Sequence, residues 1–152
     1  RIVRALEVYA CSGKPLSSYG GDFVGASEAS LYDATMLGVN MDRAALYARI
    51  DRRVDDMMER GLLEEAKGIY HKGYDRKLPA MQSIGYKQLF DTMDGNASLT
   101  EAVERIKLDS RHFAKRQLTW FLRDKRIHWL DVTDYERALP KLYEAAEEGI
   151  RI

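Results

Sequence analysis

SLTEAVERIKLDSRHFAKRQLTWFLRDKR, residues Ser98 to Arg126, is the longest stretch of the chain with an unbroken helical period. Ser98 suits an N-cap and Glu101, three residues later, completes a capping box, so the spacing predicts a helix that starts there. No Pro or Gly interrupts it until well past Trp120. At about 100° per residue, Ala102, Val103, Ile106, Phe113, Trp120 and Phe121 share one stripe. Arg105, His112, Arg116 and Arg123 stand on the opposite side, with Lys115 and Thr119 beside them. One face is built to pack and the other carries a ridge of cations. From Arg105 to Arg126 there are eight Lys/Arg and only two acids, Asp109 and Asp124, in a chain of zero net charge. A basic helix in a neutral protein points to a polyanion at that face. The bland alternative is a solvated surface, which is what most charged helix faces are.

Gln117 falls in the middle of the apolar stripe, between Phe113 and Trp120. A buried amide left without partners costs about 1–3 kcal/mol. Two readings stay open. The amide is satisfied by a neighbouring loop near the helix end, or it faces a channel where it reads the edge of a nucleobase.

The run Lys115-Arg116-Gln117-Leu118-Thr119-Trp120-Phe121 resembles the K-R-Q-x-T-W-[FL]-R signature of the tRNA dimethylallyltransferases, also called tRNA isopentenyltransferases. Leu122 stands where that signature carries Arg, and the next Arg is Arg123. Two other segments resemble the same family in the same order. RIVRALEVY, from Arg1, with the SGKPLS that follows, is similar to a helix and turn whose first residues, here Arg1, Ile2, Val3 and Arg4, contact tRNA. PAMQSIGYK, Pro79 to Lys87, is similar to P-[AS]-[MI]-x-x-[IV]-G-Y-[KR]. There the resemblance implies tRNA contacts by Gln82, Ser83, Ile84, Gly85, Tyr86 and Lys87. In the third motif it implies contacts by Lys115, Arg116, Gln117, Thr119, Trp120 and Arg123, with Gln117 near the target adenine.

Composition bounds the rest. The chain has 152 residues, 45% apolar and 32% charged, with 24 basic and 24 acidic side chains. That is ample for one core, and bulk charge names no partner. The single cysteine, Cys11, excludes an internal disulfide and a Cys-rich zinc site. His71, His112 and His128 have no metal-ligand spacing, so no metal site is expected from this chain alone. No apolar run approaches membrane-spanning length and no signal-peptide pattern is present, so a cytoplasmic protein is expected.

Taken in order, Ile2, Ala5, Leu6 and Tyr9 have helical spacing, and Gly13 with Pro15 stops that helix. It begins at residue 1 with no cap, so the chain is expected to be a piece of something longer. Gly13-Lys14 is no P-loop, because Val8 stands where the first glycine must. Ser17 to Asp33 is rich in Gly and Ser and reads as a mobile loop. Ala34 to Asn40 reads as a buried strand, and Asp42 caps a helix from Arg43 to about Arg60 with Leu46, Ile50, Val54 and Met57 inward. A strand feeding a capped helix is the unit of a parallel α/β sheet. Arg49 and Arg53 are four apart on that helix and could clamp a diphosphate; the family has Arg at both places. Arg52 is expected to pair with a nearby acid, Asp51, Asp55, Asp56 or Glu59. Gly61 breaks the helix, and a shorter one follows to Gly73. Pro79 suits a first helical turn, Gly85 is expected in mid-helix at a close approach, and Tyr86 with Lys87 offers a ring and a cation. Ile127 to Val132 is a second strand. An acidic helix from about Leu139 has Pro140 in its first turn.

The expected fold is α/β and predominantly helical, with residues 1–33 ending a helical tRNA-gripping insertion and 34–152 forming part of the core. The resemblance implies part of a P-loop nucleotide-kinase-like parallel sheet, with only two short strands in this segment. It implies transfer of a dimethylallyl group from dimethylallyl diphosphate to the exocyclic amine of the adenine 3′ of the anticodon, with Mg2+ and with the adenine flipped out of the stack. The implied partners are a tRNA anticodon stem-loop and dimethylallyl diphosphate, with the protein a monomer. The family's P-loop and catalytic Asp match nothing here, so this segment alone is expected to be inactive, with no catalytic or metal-binding residue in it. A fragment of a P-loop nucleotide kinase and a non-enzymatic helical RNA-binding module are the rival readings.

Overall fold

The computed structural model describes residues 2–18 and 35–150. Arg1, and the Gly/Ser-rich stretch from residue 19 to Asp33, lie outside the described residues. The first helix, α1 (Ile2–Ser12), leads to a 3-10 turn, Leu16–Ser18. Strand β1 (Met36–Asn40) feeds α2 (Arg43–Glu59), then α3 (Leu62–Tyr70), a 3-10 turn at Pro79–Gln82, and α4 (Tyr86–Met93). The long helix is α5 (Leu99–Phe121), followed by β2 (Ile127–Asp131) and α6 (Tyr135–Ile150). No helix among the described residues is long and apolar enough to cross a membrane.

Helices α2 to α5 hold the core. Val54, Ala66, Met81, Leu89, Phe90, Ala102 and Ile106 are buried together, with Met57, Leu63, Ile69 and Tyr86 packed around them. Both predicted caps form. The Asp42 carboxylate accepts from the backbone N–H of Ala44 and Ala45, and the Ser98 hydroxyl accepts from Glu101 while Glu101 accepts from the Ser98 backbone N–H. Two acids of α2 serve α5 rather than Arg52: Asp51 Oδ1 accepts from Arg111 at 2.6 Å and Asp55 Oδ1 lies 2.8 Å from Lys107.

The two strands pair in parallel, Met36 opposite Ile127 through Asn40 opposite Asp131, as the strand-then-helix order predicts. Past their ends, Val132 N–H donates to Asn40 O at 2.7 Å and Asp42 N–H donates to the Thr133 hydroxyl at 2.9 Å. That hydroxyl in turn donates to Asp131. Gly38 faces Trp129 across the ladder. A Cβ there would stand 2.6 Å from Ile127 Cγ2 and 2.8 Å from Trp129 Cε3, so only glycine fits.

Four expectations are corrected. Gly85 is not in mid-helix: it precedes α4 with φ +107°, and nothing lies within 4 Å of where its Cβ would be. Its requirement is a backbone conformation that L-residues avoid, not a close approach. Helix α5 ends at Phe121. There Asp124, only 4% exposed, accepts from the Arg126 backbone N–H, Nε and Nη2 and turns the chain toward β2. Helix α6 starts at Tyr135, not near Leu139, because Asp134 caps it: its carboxylate accepts from Arg137 N–H and its carbonyl from Ala138 N–H. The apolar stripe of α5 is not uniformly buried. Ala102 and Ile106 are sealed against α2 and α4, while Phe113, Trp120 and Phe121 are 41–50% exposed.

Candidate nucleic-acid interface

The exposed half of α5 carries the site. His112, Lys115, Arg116, Thr119, Trp120 and Arg123 line one open groove of about 420 Å3. All but Trp120 belong to the predicted cationic side. The helix period brings 112, 115/116 and 119 to one side, and Arg123 joins them from the turn that follows α5. The Arg116 guanidinium lies 5.8 Å from the Phe113 ring centroid, and the Thr119 hydroxyl donates to the Lys115 carbonyl at 2.8 Å. Trp120 meets Phe121 edge-on with centroids 5.0 Å apart.

The cations of α5 divide along its length. Arg105 pairs with Asp109, Lys107 with Asp55 and Glu104, and Arg111 with Asp51. The Asp55 hydrogen bond is the main cause that raises the Lys107 pKa. These three fasten the helix to itself and to α2, so Arg105 leaves the predicted ridge. Among the described residues no carboxylate lies within ion-pair distance of Lys115, Arg116 or Arg123. Three cations without local counter-charge around an exposed indole form a surface suited to a phosphate backbone and an unstacked base.

Gln117 is exposed and faces a different space. With Leu118 and Phe121 it lines an open apolar pocket of about 700 Å3 between α5 and the sheet, lined also by β1, Ile127 and Trp129. Arg49 of α2 lines the same pocket. Gln117 and Arg49 are thus brought together, which their spacing could not reveal. Arg53, one turn on, is exposed and is not among the lining residues.

The Gln82–Lys87 segment is only partly free for a partner. Gln82 Nε2 donates to the Arg76 carbonyl at 2.6 Å and the Ser83 hydroxyl to the Ala80 carbonyl at 2.6 Å. Ile84 and Lys87 are exposed. Tyr86 has partners within the chain. Its ring is stacked on Phe90 at 6.0 Å and its hydroxyl donates to Glu65, which raises its pKa. On α1, Ile2 and Val3 are exposed and Arg4 pairs with Glu7 at 3.4 Å. The helix buries none of its residues. Arg1 is outside the described residues.

Two polar devices escaped the sequence reading. Gln88, 7% exposed, is the amide that is buried: it accepts from the Gly85 N–H at 2.9 Å and donates to Asp109 at 2.8 Å. A Gln three residues after a helix-opening Gly is the signal that could have found it. Arg76 sits 4.6 Å from the Phe90 ring centroid and 3.0 Å from Asp94, which also accepts from the Tyr70 hydroxyl. That hydrogen bond raises the Tyr70 pKa and lowers that of Asp94. No three His, Cys, Asp or Glu side chains among the described residues come together to hold a metal.

Comparison with known proteins bears on this surface. The model of the IPP transferase family matches residues 1–125. The chain belongs to that family. The tRNA dimethylallyltransferase of Geobacillus kaustophilus is 47% identical over 144 residues, covering 95% of this chain and 44% of that protein. Among solved structures, the full-length tRNA isopentenylpyrophosphate transferase of Bacillus halodurans is 38% identical with a TM-score of 0.71, over 99% of this chain and 46% of its own. A eukaryotic dimethylallyltransferase described as acting on tRNA is 31% identical with a TM-score of 0.69, over 88% of this chain and 35% of its own. The chain thus spans less than half the length of these IPP transferases. The resemblance read from the three motifs holds, and the α/β, mostly helical fold with its parallel strand pair is the fold of this family's structures over the matched segment.

Proposed function

We propose that this chain is the tRNA-gripping part of a tRNA dimethylallyltransferase. The observation that carries the reading is the groove at the end of α5, where Lys115, Arg116 and Arg123 surround Trp120 with no carboxylate in ion-pair distance among the described residues. In the reaction proposed for the whole protein, the amine of the adenine 3′ of the anticodon bonds to the first carbon of the dimethylallyl group. The carbon–oxygen bond to diphosphate breaks and the amine loses a proton. Lys115, Arg116, Arg123 and Lys87 hold the RNA backbone, Trp120 stacks on an unpaired base, and Gln117 reads the adenine edge. Arg49, on the same cavity as Gln117, takes the diphosphate. Arg1 to Arg4, Gln82 to Tyr86 and Thr119 belong to the same proposed RNA contact. Magnesium belongs to the proposed reaction with ligands outside the described residues. The reading takes the protein as a cytoplasmic monomer. The test is binding of a synthetic anticodon stem-loop as a function of salt. Each phosphate-contacting cation removed should lower the slope of log K against log salt by roughly one unit. If Arg116→Ala changes neither affinity nor slope, the ridge is only a solvated face.

A further inference from the structure

The loop between α3 and α4 lines, with those two helices, an open pocket of about 570 Å3 that reaches the motif residues Met81, Gln82 and Lys87. We propose that it is a second nucleobase site, taking an unstacked base that carries an exocyclic amine. The proposal rests on the RNA-binding reading above and adds a contact to it. Arg76 supplies the platform. Its guanidinium is held 4.6 Å from the Phe90 ring centroid and 3.0 Å from Asp94, so its plane is set before any ligand arrives. A fixed guanidinium plane is a stacking surface for bases and loses little freedom on binding. Tyr74, 52% exposed, adds a ring to the same cavity.

Charge decides against a phosphate as the occupant. Arg76 is already matched by Asp94, with Asp91 at 3.8 Å. The Asp91 carboxylate has no other ion pair or hydrogen bond among the described residues. Its oxygens are therefore open to accept from an amine, which adenine, cytosine and guanine offer and uracil does not. Lys87 lines the wall of the cavity and can meet the phosphate beside such a base. The site is continuous with the proposed interface, because Gln82 and Lys87 bound the motif segment and both line this cavity.

The test uses the chain as it stands and anticodon stem-loop RNAs with 2-aminopurine at one loop position at a time. One position should lose fluorescence on binding, and Tyr74→Leu should abolish that loss and raise Kd about fivefold or more. The salt slope should stay the same, because no charge is removed. Uracil at that position should weaken binding to the wild type but not to Asp91→Asn. The exposure of Tyr74 predicts an unchanged melting temperature, and Asp91→Asn is an independent arm if it is not. If both variants bind and quench like the wild type while Arg116→Ala weakens binding, this site is overturned and the ridge stands. If the wild type binds no stem-loop at all, both readings fall.

Discussion

At the scale of single residues, two glutamines exchange places. Gln117 lies on the apolar stripe of α5 and invites the question of who satisfies its amide, yet it is exposed at a cavity wall. Gln88 is the sealed one, bridging the Gly85 N–H and the Asp109 carboxylate. Gln88→Leu should therefore lower stability by about 1–3 kcal/mol in denaturant unfolding, the usual cost of orphaned buried polar groups. Gln117→Leu should leave the melting temperature near its wild-type value. In the whole enzyme the same change should reduce prenyl transfer by about 1–3 kcal/mol in apparent transition-state stabilisation, if the amide reads a base edge. Normal turnover in Gln117→Leu would remove it from the site. Helical period showed which residues share a stripe, but not where the neighbouring helices stop covering it, and that decides both cases. Gly38 was equally illegible, because the collision that forbids a Cβ comes from Ile127 and Trp129, about ninety residues away in sequence. Gly38→Ala should cost about 1–3 kcal/mol by overpacking, measured by the same unfolding experiment.

At the scale of the element, α5 is two helices in function. Its first half is covered by α2 and α4 and its cations are matched by Asp51, Asp55, Glu104 and Asp109. Its second half rises clear of the core, and its cations are left for something else. The capping box at Ser98 and the cationic side were both legible, because capping is local and the helix period fixes the face. The pairing of Lys107 and Arg111 across to α2 was not, since Asp55 and Asp51 are more than fifty residues away in sequence. Ser98→Ala should destabilise the chain by about 1 kcal/mol, a typical N-cap loss, seen as a lower denaturation midpoint. Lys107→Ala should also destabilise the fold, while Arg116→Ala should leave folding alone and act only on RNA binding. Equal effects of these two on melting would contradict the division of α5.

At the scale of the whole molecule, acid stability follows from four carboxylates. The Tyr70 hydroxyl holds Asp94 low, the Ser98 backbone N–H holds Glu101 low, the Arg126 side chain holds Asp124 low, and the Thr133 hydroxyl holds Asp131 low. A folded-state pKa below the unfolded one stabilises fully above about pH 4 and is lost as pH falls through the folded value. Stability should therefore be flat from neutral pH to about pH 5 and fall below about pH 4, with a shallower fall in Asp124→Asn. The α/β character, the place of both strands and the helical majority were legible in the chain, since strand and helix periods are local; the burial expected of β1 was not met, for Leu37 and Val39 are exposed. The cavity that joins Gln117 to Arg49 and the sheet was not, because it exists only once α2, α5 and β1 have packed. In the proposed function this segment grips tRNA for a transferase whose phosphate-cradling loop this sequence lacks. The most direct measurement of that function is prenyl transfer to tRNA, with dimethylallyl diphosphate and magnesium, by this chain alone and by a chimera. In the chimera the chain replaces the matching 44% of the Geobacillus kaustophilus protein. The chimera should transfer the prenyl group, and the chain alone should give none above background. Transfer by the isolated chain, or a folded chimera that binds tRNA and transfers nothing, would contradict the proposed function.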